Sequence, residues 1–266
     1  MSVNRLVDHR SPGRFILAAM LAFLFASPPP AAARDTGFLD RTVTLAGEPY
    51  RYQVYVPRGA SPRDHLPIIL ALHGSGERGV DGILQTEVGL ANAVRRFPDR
   101  WRAVIVFAQS HPDTSWQGRS AEVALAELDH EQRAFHTDPK RVYLTGLSLG
   151  GNGTWYIAYH HPDRFAAIVP VCGFVGARGP ATPPITPDAD PYTAVAARIA
   201  RLPVWIIHGG ADSVVPVEES RRMAAALKAA GADVHYNELP GVDHASWVPG
   251  YADPALSDWL FRQHRP

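Results

Sequence analysis

Short, continuous apolar runs alternate along the chain with longer stretches in which apolar positions recur every three or four residues. Pro67–Leu72, Ala103–Ala108, Arg141–Thr145, Ala167–Val171 and Val204–His208 are runs of strand length, the mark of strands covered on both faces. Between them, Ser120–Phe135, Gly153–His161 and Glu218–Ala230 carry helical spacing. Val234–Leu239 follows as a last strand and Pro254–His264 as a closing helix. Nearer the amino terminus, Arg41–Leu45 and Tyr50–Val56 flank Ala46-Gly47-Glu48-Pro49 and predict an antiparallel hairpin at a sheet edge. Alternating β and α elements imply an α/β fold, a mostly parallel, doubly wound sheet with helices on both faces. In such sheets the chemistry lies at the carboxyl ends of the strands.

Two stretches depart from this rhythm. Residues 173–203 are broken by Pro180, Pro183, Pro184, Pro187 and Pro191 and predict a short, irregular, cap-like flap over one end of the sheet. Residues 1–33 start with Arg5, Arg10 and Arg14, continue through the apolar run Phe15–Ala26 and end in Ala31-Ala32-Ala33. That is the pattern of a cleaved secretory leader, with an apolar run too short to span a bilayer comfortably. The expected organisation is a signal peptide at 1–33 and one α/β domain at 34–266. The mature protein is expected to be secreted or periplasmic, without stable membrane insertion.

Composition narrows the function. With 266 residues, 46% of them hydrophobic, the chain can bury one sizeable core. The 26 basic and 26 acidic residues balance, so nothing favours nucleic acid or an anionic surface as partner. The single cysteine, Cys172, allows no intrachain disulfide and reads as a small buried hydrophobe. Among the 12 histidines, His160 and His161 are adjacent and point apart on a helix, and no His-Glu-x-x-His occurs. No dinucleotide fingerprint is present, so neither metal nor cofactor is expected.

The candidate chemistry centres on Gly146-Leu147-Ser148-Leu149-Gly150, which leaves one apolar run and enters a helical stretch. Strand, Gly-x-Ser-x-Gly, helix is the context of a nucleophile elbow, a tight turn that lifts a serine hydroxyl clear of the sheet. A nucleophilic serine needs a base, and the base an orienting acid. Asp212 follows the run ending at His208, and His244 follows the last strand, so both belong to loops at strand carboxyl ends. Asp243 is the rival acid, disfavoured by its adjacency to His244. His208 and His235 read as structural. The developing oxyanion needs two N–H donors. Leu149 supplies one, and the upstream turn His73-Gly74-Ser75-Gly76 supplies the other at Ser75, with His73 a structural hydrogen-bonder beneath. Gln109, Trp116 and Trp247 are the expected substrate contacts, from polar and aromatic groups in loops after strands.

These motifs together resemble a known group. Leu72–Gly79, Thr145–Trp155, Pro162–Gly173 and Gly241–Trp247 are similar to α/β-hydrolases of the set containing feruloyl and acetyl-xylan esterases, polyhydroxybutyrate depolymerase-like esterases and prolyl-oligopeptidase-type, dienelactone hydrolase-like proteins. The resemblance spans nearly all of residues 41–264. Members commonly carry methionine at the position of Leu149; the donor there is a backbone N–H, so the exchange alters only packing. The resemblance implies a serine carboxylic-ester hydrolase working through an acyl-enzyme. Its substrates would be small-molecule or polysaccharide-linked esters, short-chain or aryl. A serine peptidase and a non-catalytic exported binding protein are the alternatives.

Overall fold

The computed structural model describes Met1, residues 35–180 and residues 182–266. The leader expected at 1–33 falls outside them. The strands are β1 (Gly37–Leu45), β2 (Glu48–Val56), β3 (Ile68–Leu72), β4 (Val104–Ala108), β5 (Val142–Leu147), β6 (Ala167–Val171), β7 (Val204–Gly209) and β8 (Val234–Leu239). The helices are α1 (Leu90–Arg96), α2 (Arg119–Phe135), α3 (Leu149–His160), α4 (Pro191–Arg198), α5 (Glu218–Ala229), α6 (Trp247–Ala252) and α7 (Pro254–Arg262). All eight strands join one sheet in the order β1-β2-β4-β3-β5-β6-β7-β8. The β1–β2 and β2–β4 pairs are antiparallel and every other pair is parallel, which is the expected doubly wound architecture. None of the described helices is long and apolar enough to cross a membrane.

Side-chain alternation divides the core. Ile68, Leu70 and Leu72 of β3 pack with α2, α3, α4 and α5 on one face, while Ile69 and Ala71 pack with α1, α6 and α7 on the other. Both faces are buried, so the central strands read as unbroken apolar runs. The β1–β2 hairpin pairs Leu45 with Glu48 across a turn with φ of 52° at Ala46 and 88° at Gly47. Two positive φ values match the twist of the strands, so pairing extends further than the apolar residues alone predict.

The segment expected to form a flap at 173–203 is partly helical and packs on the body. Its second half is helix α4, started by Asp190, whose side chain accepts from the Tyr192 and Thr193 N–H groups, with Pro191 in the first turn. Phe174, Val175, Ile185, Tyr192 and Val195 are buried in the same core as α3 and α5. The Glu219 carboxylate ties the segment down, accepting from Val175 N–H at 2.9 Å and Tyr192 O–H at 2.8 Å. Phe174, Val175, Ile185 and helix α4 are therefore anchored to the α/β body.

One buried group on α2 has a measurable consequence. Glu127 and Glu131 are both wholly buried. Glu131 accepts from Tyr52 O–H at 2.6 Å, but neither Glu127 oxygen has a hydrogen-bond partner. Burial, reinforced by the Glu131 charge, pushes the Glu127 carboxyl well above the usual carboxylate range. The folded state thus holds a proton that the unfolded chain releases above its ordinary carboxylate pKa of about 4.3. Stability from this group is complete below that value and falls as pH rises toward the folded pKa, at up to about 1.4 kcal/mol per pH unit. Glu127→Gln should therefore raise the melting temperature more at pH 8 than at pH 5. A difference independent of pH, measured by circular dichroism, would refute the assignment.

Candidate active site

Ser148 occupies the single residue between β5 and α3, with φ 54° and ψ −114°. A non-glycine residue pays about 1–3 kcal/mol for such backbone, so the surroundings must hold it. They do so through the Ser148 N–H, which donates to Val171 O at 2.9 Å, and through Gly150, whose missing side chain lets α3 press on β3. A Cβ at Gly150 would stand 2.1 Å from Leu72 O and 2.7 Å from His73 O. The result is a serine at the carboxyl edge of the sheet, the residue only 9% exposed.

Three loops then converge. His244, after β8, places Nε2 3.0 Å from Ser148 Oγ and Nδ1 2.8 Å from Asp212 Oδ2. The Asp212 side chain, after β7, is wholly buried, and His244 is 17% exposed. Asp212 Oδ1 accepts from the N–H groups of Val214 and Val215 at 2.9 and 2.8 Å, which fixes the carboxylate plane. The rival Asp243 turns elsewhere. Its Oδ1 accepts from Ser213 N–H, Ser213 O–H and its neighbour's His244 N–H, at 2.8, 2.8 and 2.7 Å, so it staples the β7 and β8 loops together. Those same hydrogen bonds lower its pKa. Cys172 lies beneath, its sulfur within 4.8 Å of the facing Asp212 and His244 atoms. Burial pushes its thiol up to about 12, so it is a packing group.

The turn after β3 borders the nucleophile: a Cβ on Gly74 would lie 3.7 Å from Ser148 Cβ. His73 is buried beneath it, with Nδ1 2.5 Å from Gly74 O and Nε2 accepting the Ser110 N–H at 3.0 Å. Burial lowers its pKa to about 4, leaving a neutral ring that donates from Nδ1. The Gly74–Ser75 peptide is planar and trans, so holding its carbonyl on His73 turns the Ser75 N–H to the opposite side. Leu149 N–H opens α3 and, like every first-turn donor, has no partner inside the helix.

The three expected substrate contacts divide. Gln109 is buried, its Oε1 accepting from Gly82 N–H at 2.7 Å and its Nε2 donating to Glu77 O at 3.2 Å. Trp116 is also buried and donates from Nε1 to His73 O at 2.9 Å. Both therefore brace the turn around Ser75 from behind, which corrects their expected role as substrate contacts. Trp247 is half-buried and stands edge-on to His244, 5.4 Å between ring centroids. With Phe97, Val248 and Arg96 it walls a pocket of about 340 Å³ that the sequence did not disclose, because its other wall is the short helix α1. His208, read as structural, lies 3.2 Å from Asp212 Oδ2.

Residues 98–254, more than half of the chain and all three converging loops, match the model of the dienelactone hydrolase family. The chain belongs to that family. Among relatives of this dienelactone hydrolase family protein, an uncharacterized secreted protein of Arthroderma benhamiae is 28% identical over 215 residues, 70% of this chain and 22% of its own length. A Methylorubrum extorquens protein, provisionally named a carboxymethylenebutenolidase, is 36% identical over 139 residues, 48% of this chain and 44% of its own. The chain thus spans less than half the length of these relatives. The crystal structure of a thermostable esterase superposes with a TM-score of 0.73 at 29% identity, covering 86% of this chain and 63% of that one.

Proposed function

We propose that the protein is a serine carboxylic-ester hydrolase that acts, after export, on short-chain, aryl or carbohydrate-linked esters. The observation that carries this reading is the unbroken hydrogen-bonded path from Ser148 Oγ through His244 to Asp212, at the carboxyl edge of the sheet. His244 Nε2 takes the Ser148 proton as Oγ attacks the ester carbonyl carbon. The oxyanion is received by the N–H groups of Leu149 and Ser75. His244 then passes the proton to the leaving alkoxide, and the acyl–Ser148 ester remains. Water, deprotonated by the same imidazole, attacks that ester and releases the carboxylic acid, returning the proton to Ser148. Asp212 keeps Nε2 free to accept and stabilises the imidazolium.

Trp247, edge-on to His244 at 5.4 Å between ring centroids, suits contact with an apolar or ring-bearing ester group. Export is supported by the leader pattern of residues 1–33 and by the name of the secreted Arthroderma relative. The test is a hydrolysis panel of p-nitrophenyl acetate, butyrate and octanoate, methyl ferulate, acetylated xylan and a proline-containing peptide anilide. It is run beside labelling with a serine-directed fluorophosphonate. Turnover of esters without the anilide, together with labelling at Ser148, is the expected result. Cleavage of the anilide alone would favour a peptidase, and absence of both labelling and turnover would overturn the reading.

A further inference from the structure

His208, next to last in β7, is wholly buried, and its ring meets three partners. Nδ1 lies 2.7 Å from Ser220 Oγ on α5. Nε2 lies 3.0 Å from Val215 O and 3.2 Å from Asp212 Oδ2. A carbonyl oxygen only accepts, and the Asp212 carboxylate already accepts from His244 and two backbone N–H groups. Two acceptors on one ring nitrogen require a proton there. The other nitrogen then takes the Ser220 hydroxyl proton. Burial also lowers the pKa of His208, consistent with a neutral ring in which Nε2–H is the only donor. Directionality is thereby fixed along the whole path: Ser220 O–H donates to His208 Nδ1, His208 Nε2–H donates to Val215 O with Asp212 Oδ2 3.2 Å from the same nitrogen, His244 N–H donates to Asp212, and Ser148 O–H donates to His244.

We propose that His208 is a positioning residue that acts through Asp212, sharing Oδ2 with His244 and so tempering the negative charge the catalytic imidazole faces. This rests on the Ser148–His244–Asp212 reading above. A neutral donor on a carboxylate lowers its basicity. Without that donor, Oδ2 concentrates its charge on His244, the imidazolium is stabilised, and the ring becomes a base at higher pH only. The other titratable or charged groups facing these residues are Cys172 after β6, Asp243, whose Oδ1 accepts from the His244 N–H at 2.7 Å, and Glu238 on β8, the last held by Arg221 of α5 at 2.6 Å and by Tyr236 O–H at 2.7 Å. They are the same in protein and variants, so the comparison isolates the His208 donor.

The experiment compares kcat/KM against pH for His208→Leu and His208→Gln, the glutamine amide offering an N–H near the place of Nε2. In His208→Leu the acid limb should move up by about half to one pH unit. In His208→Gln the limb should return to its original place. A packing role alone would lower the melting temperature of both variants and leave the limb fixed, and that result would overturn the proposal. Because His208→Leu can fail to fold, the unmodified protein is also labelled with ¹⁵N-histidine and the His208 signal assigned by its loss in His208→Gln. A neutral Nε2–H tautomer from pH 5 to 8 supports the proposal, whereas an Nδ1–H tautomer overturns it. The tautomer is read without substrate, so a failure of ester turnover leaves it interpretable and is scored against the functional reading instead.

Discussion

Ser148→Ala is expected to lower kcat by roughly a millionfold while the melting temperature moves by no more than about 3 °C. The two outcomes separate because the proposed mechanism places the hydroxyl in the chemistry and not in the packing. Its one recorded side-chain partner is His244 Nε2, 3.0 Å away, on a ring that keeps some contact with solvent. Losing that hydrogen bond leaves the imidazole able to bind water, so no buried group is orphaned. The backbone at φ 54° and ψ −114° strains alanine as it strains serine, so the substitution neither relieves nor adds to that cost. Fluorophosphonate labelling should vanish in parallel. Steady-state hydrolysis of p-nitrophenyl acetate and scanning calorimetry on the same preparation measure both quantities. Retention of even 1% of the activity would remove Ser148 from the role of nucleophile.

How much of this was legible beforehand differed by element. The central strands were readable because burial on both faces leaves no polar interruption, as in Ile68–Leu72 and Val104–Ala108. The convergence of Ser148, Asp212 and His244 was readable because a parallel sheet sends the loops after its strands to one edge. Helices α1, α4 and α6 escaped because seven, eight and six residues are too few to display a helical period. For α4 the Asp190-Pro191 start was nonetheless present as a cap signal. Helix α3 begins at Leu149, ahead of the expected Gly153, because close packing of the glycines against neighbouring backbone outweighs their weak helix propensity. Gln109 and Trp116 show a different limit: residue type announces the polar or aromatic group, but only the folded loop decides whether it faces the site or the turn beneath it. His208 belongs to the same class. Its contact with Asp212 depends on how the chain from Gly209 to Val215 curls back, which no spacing rule reports.

Gly150→Ala should be the most damaging of the single-methyl additions near the elbow. The new Cβ would meet Leu72 O at 2.1 Å and His73 O at 2.7 Å, distances at which backbone atoms must separate. Neither oxygen belongs to a flexible side chain that could swing away. Both belong to the strand end and turn that carry Ser75, so relief of the clash requires α3 to lift from β3. Overpacking of this kind costs about 1–3 kcal/mol or more, which for a domain of this size lowers the melting temperature by roughly 2–12 °C. Activity should suffer beyond the loss of folded protein, because the same movement separates the Leu149 N–H from the Ser75 N–H and widens the place where the oxyanion forms. Gly76→Ala is the stability control, since a Cβ there meets nothing within 4 Å. Thermal unfolding and kcat/KM on the folded fraction test the two parts separately. Wild-type melting behaviour in Gly150→Ala would mean that α3 does not press on β3 at this point, and full kcat/KM in a destabilised Gly150→Ala would detach the turn after β3 from oxyanion binding.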